Sequence, residues 1–161
     1  MTVTTSESTT WIIVGSPDNF AATGAHGFTV QGIKTRHRRK AEAMRPGDRI
    51  VWYITGAKAF AGHAVITGTF YEDHTPIWKS KDPKRDAEDY PWRFSIEATC
   101  VLDQADWVLA EALVPDMHHA AKWPAANWTL AFQGNVHKLD AHDGDLLVGA
   151  INAAAPVAEP A

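Results

Sequence analysis

Extended apolar segments of strand length dominate this chain, and no regular alternation of strands and helices joins them. The clearest candidates are residues 10–15, 49–55, 63–71 and 92–102, with 127–132 as a fifth. A doubly wound parallel sheet requires strands that alternate with helices. The pattern instead predicts an α+β fold, with a strongly curved, mostly antiparallel barrel of five or six strands and short helices at its edges.

Segment 49–55 has the clearest strand periodicity. Ile50, Trp52 and Ile54 alternate with Val51 and Tyr53, and successive side chains of a strand point to opposite faces of a sheet. We therefore expect Trp52 in the core, on the face opposite Tyr53.

Short helices are predicted between these strands. Ser16 precedes Pro17, and a hydroxyl cap followed by proline is typical of a helix start. Further helices are expected over roughly 35–44 and 107–113 and after Asp140, while the charged stretch 77–90 has the composition of a polar insertion.

The length of 161 residues suits one domain with a sizeable core. We expect a disordered segment at 1–9, a single domain at 10–153 and a flexible tail at 154–161. The first ten residues carry no positively charged start or apolar stretch, and no apolar run approaches the roughly 20 residues that span a bilayer. These features predict a cytoplasmic protein that does not bind membranes. Cys100, the single cysteine, lies in an apolar run and is expected to be buried.

A compact basic segment contrasts with the formal charge of -4. It comprises Lys34, Arg36, Arg38, Arg39 and Lys40. A local positive surface on an acidic protein indicates an anionic partner, although a solvated helix face is the ordinary explanation for such a run.

Sequence signatures of catalysis are lacking. No phosphate-binding loop, dinucleotide fingerprint or nucleophile elbow is present. His118 and His119 are adjacent, and no histidine or cysteine pair has the spacing of a common zinc motif. We therefore expect no enzymatic activity, no cofactor and no metal site.

Several short motifs occur together in a fixed order. They are Trp11-Ile12, the GIKT tract at 32–35, RPGDRIVWYI at 45–54, GHAVITG at 62–68, YPWRF at 90–94 and FQG at 132–134. Together these motifs resemble the EVE domain, which belongs with the PUA, ASCH and YTH domains to the PUA-like folds. The resemblance covers about residues 10–150.

The resemblance implies a PUA-like pseudobarrel with a surface pocket beside a basic face, and a role as a non-enzymatic reader of a modified nucleobase in DNA or RNA. Aromatic faces stack on bases of any sequence, and arginine engages phosphates bidentately. We expect this protein to be a monomer. The implied ligand-binding residues are Trp11, Gly32, Ile33, Lys34, Thr35, Tyr53, Trp78, Pro91, Arg93, Gln133 and Gly134, and the basic segment is expected to contact the nucleic-acid backbone.

Alternatives remain open at several of these positions. Trp11 is equally compatible with the barrel core, and Arg93 with an ion pair to Asp48 or Glu97. Many relatives carry tryptophan where this chain has Gln31, so an aromatic wall is either missing there or supplied by Phe28 or Trp78. Two other functions compete: a small-molecule or nucleotide sensor, favoured by the negative net charge, and an enzyme acting on a nucleotide, for which the residues offer little support.

Overall fold

The computed structural model describes residues 8–80 and 87–156. Most of the predicted terminal segments 1–9 and 154–161, and the centre of the insertion 77–90, lie outside these ranges. The strands are β1 Thr10–Gly15, β2 Val30–Ile33, β3 Arg49–Ile54, β4 Ala59–Ile66, β5 Tyr71–Glu72, β6 Trp92–Val101, β7 Val108–Leu109 and β8 Val136–Leu139. The α-helices are α1 Pro17–Ala25, α2 Arg38–Ala43, α3 Ala110–Leu113 and α4 Ala141–Ala154, and 3-10 turns span Thr35–His37, Gln104–Asp106, Val114–Asp116 and Ala125–Phe132.

Six strands form one curled sheet in the order β2-β6-β4-β3-β1-β8, with β5 paired to β6 and β7 paired to β4. Strands β1 and β3 run parallel, and the other pairs in the described residues are antiparallel. The predicted fold class is thereby confirmed. Because β1 and β3 point the same way, their carboxyl ends lie at the same end of the barrel.

The two faces of the sheet bury different clusters. Ile50, Trp52 and Ile54 join the barrel interior, whereas Val51 and Tyr53 join a second cluster on the outer face, which α4 covers. The alternation predicted for 49–55 is confirmed.

Asn135 connects the two ends of the curled sheet. Its side-chain Oδ1 accepts a hydrogen bond from the backbone N–H of Lys34, just after β2, at 2.9 Å. Its backbone carbonyl accepts from Val14 N at 2.8 Å, and its Nδ2 donates to the Val14 carbonyl at 3.3 Å. Asn135 is buried, and a buried amide is stable only when its polar atoms are paired. This residue therefore closes the gap between the terminal strands β2 and β8.

The helix caps agree with the sequence predictions. Ser16 accepts a hydrogen bond from Asn19 N at 3.1 Å and begins α1, and Asp140 accepts from Asp143 N at 2.8 Å and begins α4. Within the described residues no helix combines the length and the apolar composition needed to cross a bilayer.

Three element predictions were wrong or displaced. Residues 127–132 are part of a 3-10 segment and not a strand, because Trp128 and Phe132 pack together at helical spacing, with ring centroids 5.9 Å apart. The predicted helix 107–113 divides into strand β7 and the single turn α3. The predicted strand 63–71 is displaced, since β4 starts earlier, at Ala59, and ends at Ile66.

Candidate functional site

A cavity opens inside the barrel at the carboxyl ends of β1 and β3. Its walls combine apolar and aromatic residues with side-chain amides and a hydroxyl: Ile13, Phe20, Trp52, Trp78 and Tyr90, with Asn19, Thr23, Gln31 and Asn135. The empty volume of the cavity is about 300 Å³. The centre of a water-sized sphere can occupy only about 20 Å³ of it. Since one water needs roughly 10–15 Å³ by that measure, the cavity in this conformation accommodates about one water.

The two indoles of the cavity are held by hydrogen bonds within its walls. Trp52 Nε1 donates to Gln31 Oε1 at 2.8 Å, and Trp78 Nε1 donates to Thr23 Oγ1 at 2.9 Å. Buried indole N–H groups usually need such partners. The orientations of both rings are therefore fixed from within the protein.

Tyr90 is the polar group at the outer edge of the cavity. Its hydroxyl accepts a hydrogen bond from Asn19 Nδ2 at 3.3 Å. Burial, reinforced by the charge of Glu88, raises the pKa of Tyr90 to about 12. The hydroxyl therefore keeps its proton at neutral pH and remains a donor.

Gly32 leaves room for Trp78. A Cβ at position 32 would lie 2.8 Å from Trp78 Cε3, closer still to Cζ3, and 2.8 Å from the Tyr90 carbonyl oxygen. The family resemblance implied that Gly32 binds the ligand, whereas in the structure the indole of Trp78 occupies the space beside it. Glycine at this position therefore lets Trp78 lie against β2.

Arg93 organises the two loops that carry the outer wall. Its guanidinium, 1% exposed, donates to the carbonyls of Thr75, Asp89 and Tyr90 and lies 5.2 Å from the Trp78 ring centroid. Tyr90 has a positive φ of 54°, a conformation that costs energy in residues other than glycine. The hydrogen bond to its carbonyl helps hold this backbone in place.

A shallower depression continues the cavity to the surface. Asn19 and Tyr90 border both spaces, and Lys34, Lys79 and Gly134 line the outer part. The Lys34 ammonium lies 5.7 Å from the Tyr90 ring centroid. The entrance is thus flanked by two lysines, one of which, Lys79, the sequence analysis did not select.

The basic segment extends away from Lys34 along the Thr35–His37 turn and α2. Arg36 contacts His37, Arg38 pairs with Glu42 at 2.9 Å and lies 5.0 Å from the Trp92 ring centroid, and Lys40 Nζ donates to the Val136 carbonyl at 2.9 Å. Arg39 is exposed and makes no side-chain hydrogen bond or ion pair with the described residues.

Two of the predicted aromatic contacts do not present a free ring face to the cavity. Trp11, 2% exposed, is in the barrel interior near the amino ends of β1 and β3, where its Nε1 donates to Asp48 at 3.0 Å. Tyr53 borders the cavity, but its ring stacks on Phe132 in the outer cluster, at 4.4 Å and 6°. Neither ring has a free face for a guest.

The remaining predicted site residues differ in their burial and in their hydrogen-bond partners. Ile33 is fully buried in the barrel core, and Pro91 is buried at the start of β6. The backbone N–H and hydroxyl of Thr35 both donate to Glu88. Gln133 and Gly134 are exposed, and only Gly134 borders the entrance.

Sequence reasoning missed several cavity residues. Asn19, Thr23 and Asn135 are ordinary polar residues in a helix and a loop, and nothing in their local sequence marks them. Trp52 was assigned to the core, which is correct, but its face of β3 also borders the cavity. Trp78 lies over Gly32, next to Gln31, and lines the cavity.

Two imidazoles behind the basic segment have low pKa values. The pKa of His137 is lowered to about 4, chiefly by burial and then by His119, Lys40 and His37, and its Nε2 is buried with no hydrogen-bond partner. The pKa of His37 is also lowered to about 4, by burial and by the charges of Lys40, Arg36 and Lys34. Both rings are therefore neutral at pH 7.

We expect this pair to destabilise the protein in mild acid. The unfolded chain takes up these protons near pH 6.5, whereas the folded chain does so only near pH 4. The stabilising contribution is thus complete above about pH 6.5 and is lost as the pH falls towards 4. Because both rings are partly exposed, solvent screening reduces the effect, and the free energy of unfolding in urea should be about 1–2 kcal/mol lower at pH 4.5 than at pH 7.0.

The variant His137→Gln isolates one of the two rings. It should reduce the loss of stability between pH 7.0 and 4.5 by about a third or more, while His26→Gln, at an exposed histidine, serves as the matched control. An unchanged pH dependence in His137→Gln would contradict this assignment.

The curled mixed sheet with a cavity at its end defines a PUA-like fold. Residues 9–117 match the model of the EVE domain, and the chain belongs to the EVE domain family. A UPF0310 protein of Pyrococcus abyssi is 30% identical in an alignment of 94 residues that covers 53% of this chain and 63% of that protein, so the match spans less than two thirds of the relative's length.

Solved structures share the fold at low sequence identity. The Mmi1 YTH domain in complex with RNA superimposes with a TM-score of 0.60 at 14% identity, over 92% of this chain and 80% of that one. The human THYN1 protein in complex with DNA containing 5-methylcytosine gives a TM-score of 0.57 at 17% identity, over 95% of this chain and 100% of that one.

Proposed function

We propose that this chain is a non-enzymatic nucleic-acid-binding domain that reads a modified base in DNA or RNA. Membership of the EVE family and the likeness to folds solved with RNA and with methylated DNA support this class of function. At these sequence identities a structural likeness shows only the fold, so the proposal depends on the geometry of the site.

The observation that carries the proposal is the combination of an aromatic cavity with a cationic entrance. The aromatic residues Trp52, Trp78 and Tyr90 line the inner cavity, and Lys34 and Lys79 lie beside the opening. Planar rings stack on aromatic faces at about 1–3 kcal/mol per base, and ammonium groups attract phosphates. A flipped base in the cavity with its phosphate at the entrance satisfies both features.

The cavity must widen before a base can enter. Its open space of about 20 Å³ holds about one water, so the Trp78 and Tyr90 walls have to move outwards. These walls belong to the loops held by Arg93. The proposal therefore includes displacement of the outer wall, at a cost added to the few kcal/mol required to unstack a base.

The cavity-lining residues favour recognition over chemistry. No histidine, cysteine, aspartate or glutamate lines the cavity in the described part of the chain. The polar groups are Asn19, Thr23, Gln31, Asn135 and the Tyr90 hydroxyl, which donate and accept hydrogen bonds without transferring a proton near neutral pH. Such groups suit reading the edge of a base.

A binding panel tests the proposal. Wild type should bind at least one modified oligonucleotide more tightly than its unmodified counterpart, in a set that carries 5-methylcytosine, 5-hydroxymethylcytosine or N6-methyladenine in DNA and RNA. Lys34→Ala and Arg39→Ala should weaken binding to all members alike, and each should reduce the slope of log affinity against log salt by about one. Fluorescence anisotropy at several salt concentrations measures both effects.

Two variants complete this design. Lys122→Ala removes an exposed lysine outside the cavity and its entrance and should leave affinity unchanged. Tyr90→Ala should remove the preference between modified and unmodified members while keeping the salt slope. Equal wild-type affinity for every modified and unmodified pair would overturn the reader proposal.

One alternative has support from specific observations. The formal charge of -4 and the narrow cavity also suit a sensor of a small planar molecule, in which Lys34 and Lys79 pair with an anionic substituent. Native mass spectrometry of protein purified without nucleic acid distinguishes the two functions. A stoichiometric small ligand that Tyr90→Ala releases would favour the sensor.

A further inference from the structure

Four metal-ligating side chains converge on the side of the molecule that α4 covers. His118 follows the 3-10 turn Val114–Asp116, and Asp140, His142 and Asp143 begin α4. One ligand atom from each residue lies within 4.8 Å of all the others. Sequence spacing gave no sign of this set, because His118 precedes Asp140 by 22 residues.

The imidazole rings of His118 and His142 are stacked and nearly parallel. The ring centroids of His118 and His142 lie 4.0 Å apart with an interplanar angle of 12°. His118 Nδ1 is 2.8 Å from Asp140 Oδ2, and His142 Nδ1 is 2.8 Å from Asp143 Oδ1. Each ring therefore directs the same nitrogen towards a carboxylate, and the two nitrogen–carboxylate pairs lie side by side.

The carboxylates are fixed by the backbone. Asp143, 1% exposed, accepts hydrogen bonds from His118 N and His119 N at 2.9 and 2.7 Å, and Asp140 accepts from Asp143 N. Such supporting bonds orient ligands in metal sites. Capping explains the two aspartates, but it does not require two exposed histidines from separate segments to meet above them.

We propose that His118, Asp140, His142 and Asp143 form a binding site for a divalent transition-metal ion of the zinc class. Two imidazole nitrogens and two carboxylate oxygens match the ligand preferences of Zn²⁺ and Co²⁺. The open side of the cluster, where three of the four residues are exposed, provides the entry path. A bound ion would link the segment that precedes residue 120 to the start of α4.

Nearby positive charge opposes binding and limits the expected affinity. Lys122 and Lys138 line the same depression as His118, Asp140 and Asp143, and the amino end of α4 carries a partial positive charge. The two carboxylates offset these charges. The site shares no residue with the cavity at the carboxyl ends of β1 and β3, so its test is independent of the proposed reading of bases.

Cobalt titration tests the site directly. Tag-free protein, stripped with a chelator, should bind one equivalent of Co²⁺ and develop visible d–d absorption, and Zn²⁺ should displace the Co²⁺ and raise the melting temperature. The double variant His118→Gln/His142→Gln alters only exposed side chains and should keep its circular dichroism spectrum. It should lose the absorption and bind at least about tenfold more weakly.

A matched histidine elsewhere controls for ordinary surface binding. His74 is also exposed and lies 2.7 Å from each of Glu72 and Asp89, so it offers one imidazole between two carboxylates. His74→Gln should leave the cobalt spectrum unchanged. The absence of saturable binding of one equivalent to wild type, or equal binding by the double variant, would overturn the proposal.

Discussion

Gly32→Ala should destabilise the protein by about 3 kcal/mol and abolish the proposed discrimination between modified and unmodified bases. The added Cβ would lie 2.8 Å from both Trp78 Cε3 and the Tyr90 carbonyl oxygen. Overpacking a well-filled site typically costs 1–3 kcal/mol and sometimes more. Here the upper part of that range applies, because one of the two neighbours is backbone and cannot rotate away.

The displaced groups explain why binding should change together with stability. Trp78 loses its position against β2 and with it the hydrogen bond to Thr23, so the outer wall of the cavity shifts. Urea unfolding and the oligonucleotide panel measure the two effects. The salt dependence should persist, since Lys34 and the basic segment remain.

Gly149→Ala is the matched control for this substitution. Gly149 is exposed within α4, and a Cβ there would meet no atom within 4 Å. Replacing glycine by alanine inside a helix typically stabilises it by roughly 0.5–1 kcal/mol. A Gly32→Ala protein as stable as wild type, with an unchanged base preference, would contradict the role given to Trp78.

Arg93→Ala should cost about 3–5 kcal/mol of stability. Removing one partner from a buried charged network leaves the remaining polar groups unpaired, and losses of that size are typical. In this protein the carbonyls of Thr75, Asp89 and Tyr90 lose their donor, and Asp73 loses an ion pair at 3.4 Å. Thermal and urea unfolding give the size of the effect.

Arg93→Lys separates the charge from the shape of the guanidinium. Lysine keeps the positive charge but lacks the planar fork that reaches several carbonyls at once, so it should recover only part of the lost stability. If Arg93→Ala left stability intact and weakened nucleic-acid binding alone, Arg93 would contact the ligand, as the family resemblance implied, and would not act as a positioning residue.

The local sequence predicted helix starts and strand faces correctly, because interactions between neighbouring residues determine these features. The hydroxyl of Ser16 and the carboxylate of Asp140 begin helices because each satisfies backbone N–H groups three residues away. Trp52 and Tyr53 occupy opposite faces of β3 because a strand has a period of two. The segment 127–132 misled the strand prediction, since short apolar runs fit strand and helix alike.

The candidate site was predictable only in part. The sequence pointed to Gly32, Lys34, Trp78 and Gly134, all of which border the cavity or its entrance or shape its wall. It also pointed to Trp11 and Arg93, which the fold uses for internal hydrogen bonds. A conspicuous tryptophan or arginine looks the same in sequence whether it contacts a ligand or the protein's own carbonyl and carboxylate groups.

The sequence by itself determined the long strands β1, β3 and β6, the helix caps and the family, because these depend on neighbouring residues and on an ordered set of motifs. The tertiary structure decided which side chains meet. Asn135 closes the sheet by reaching Lys34 across 101 residues of sequence, and His118 joins Asp140 only because α4 begins beside its loop. Contacts of that kind follow from how the sheet curls, and no local pattern of residues records them.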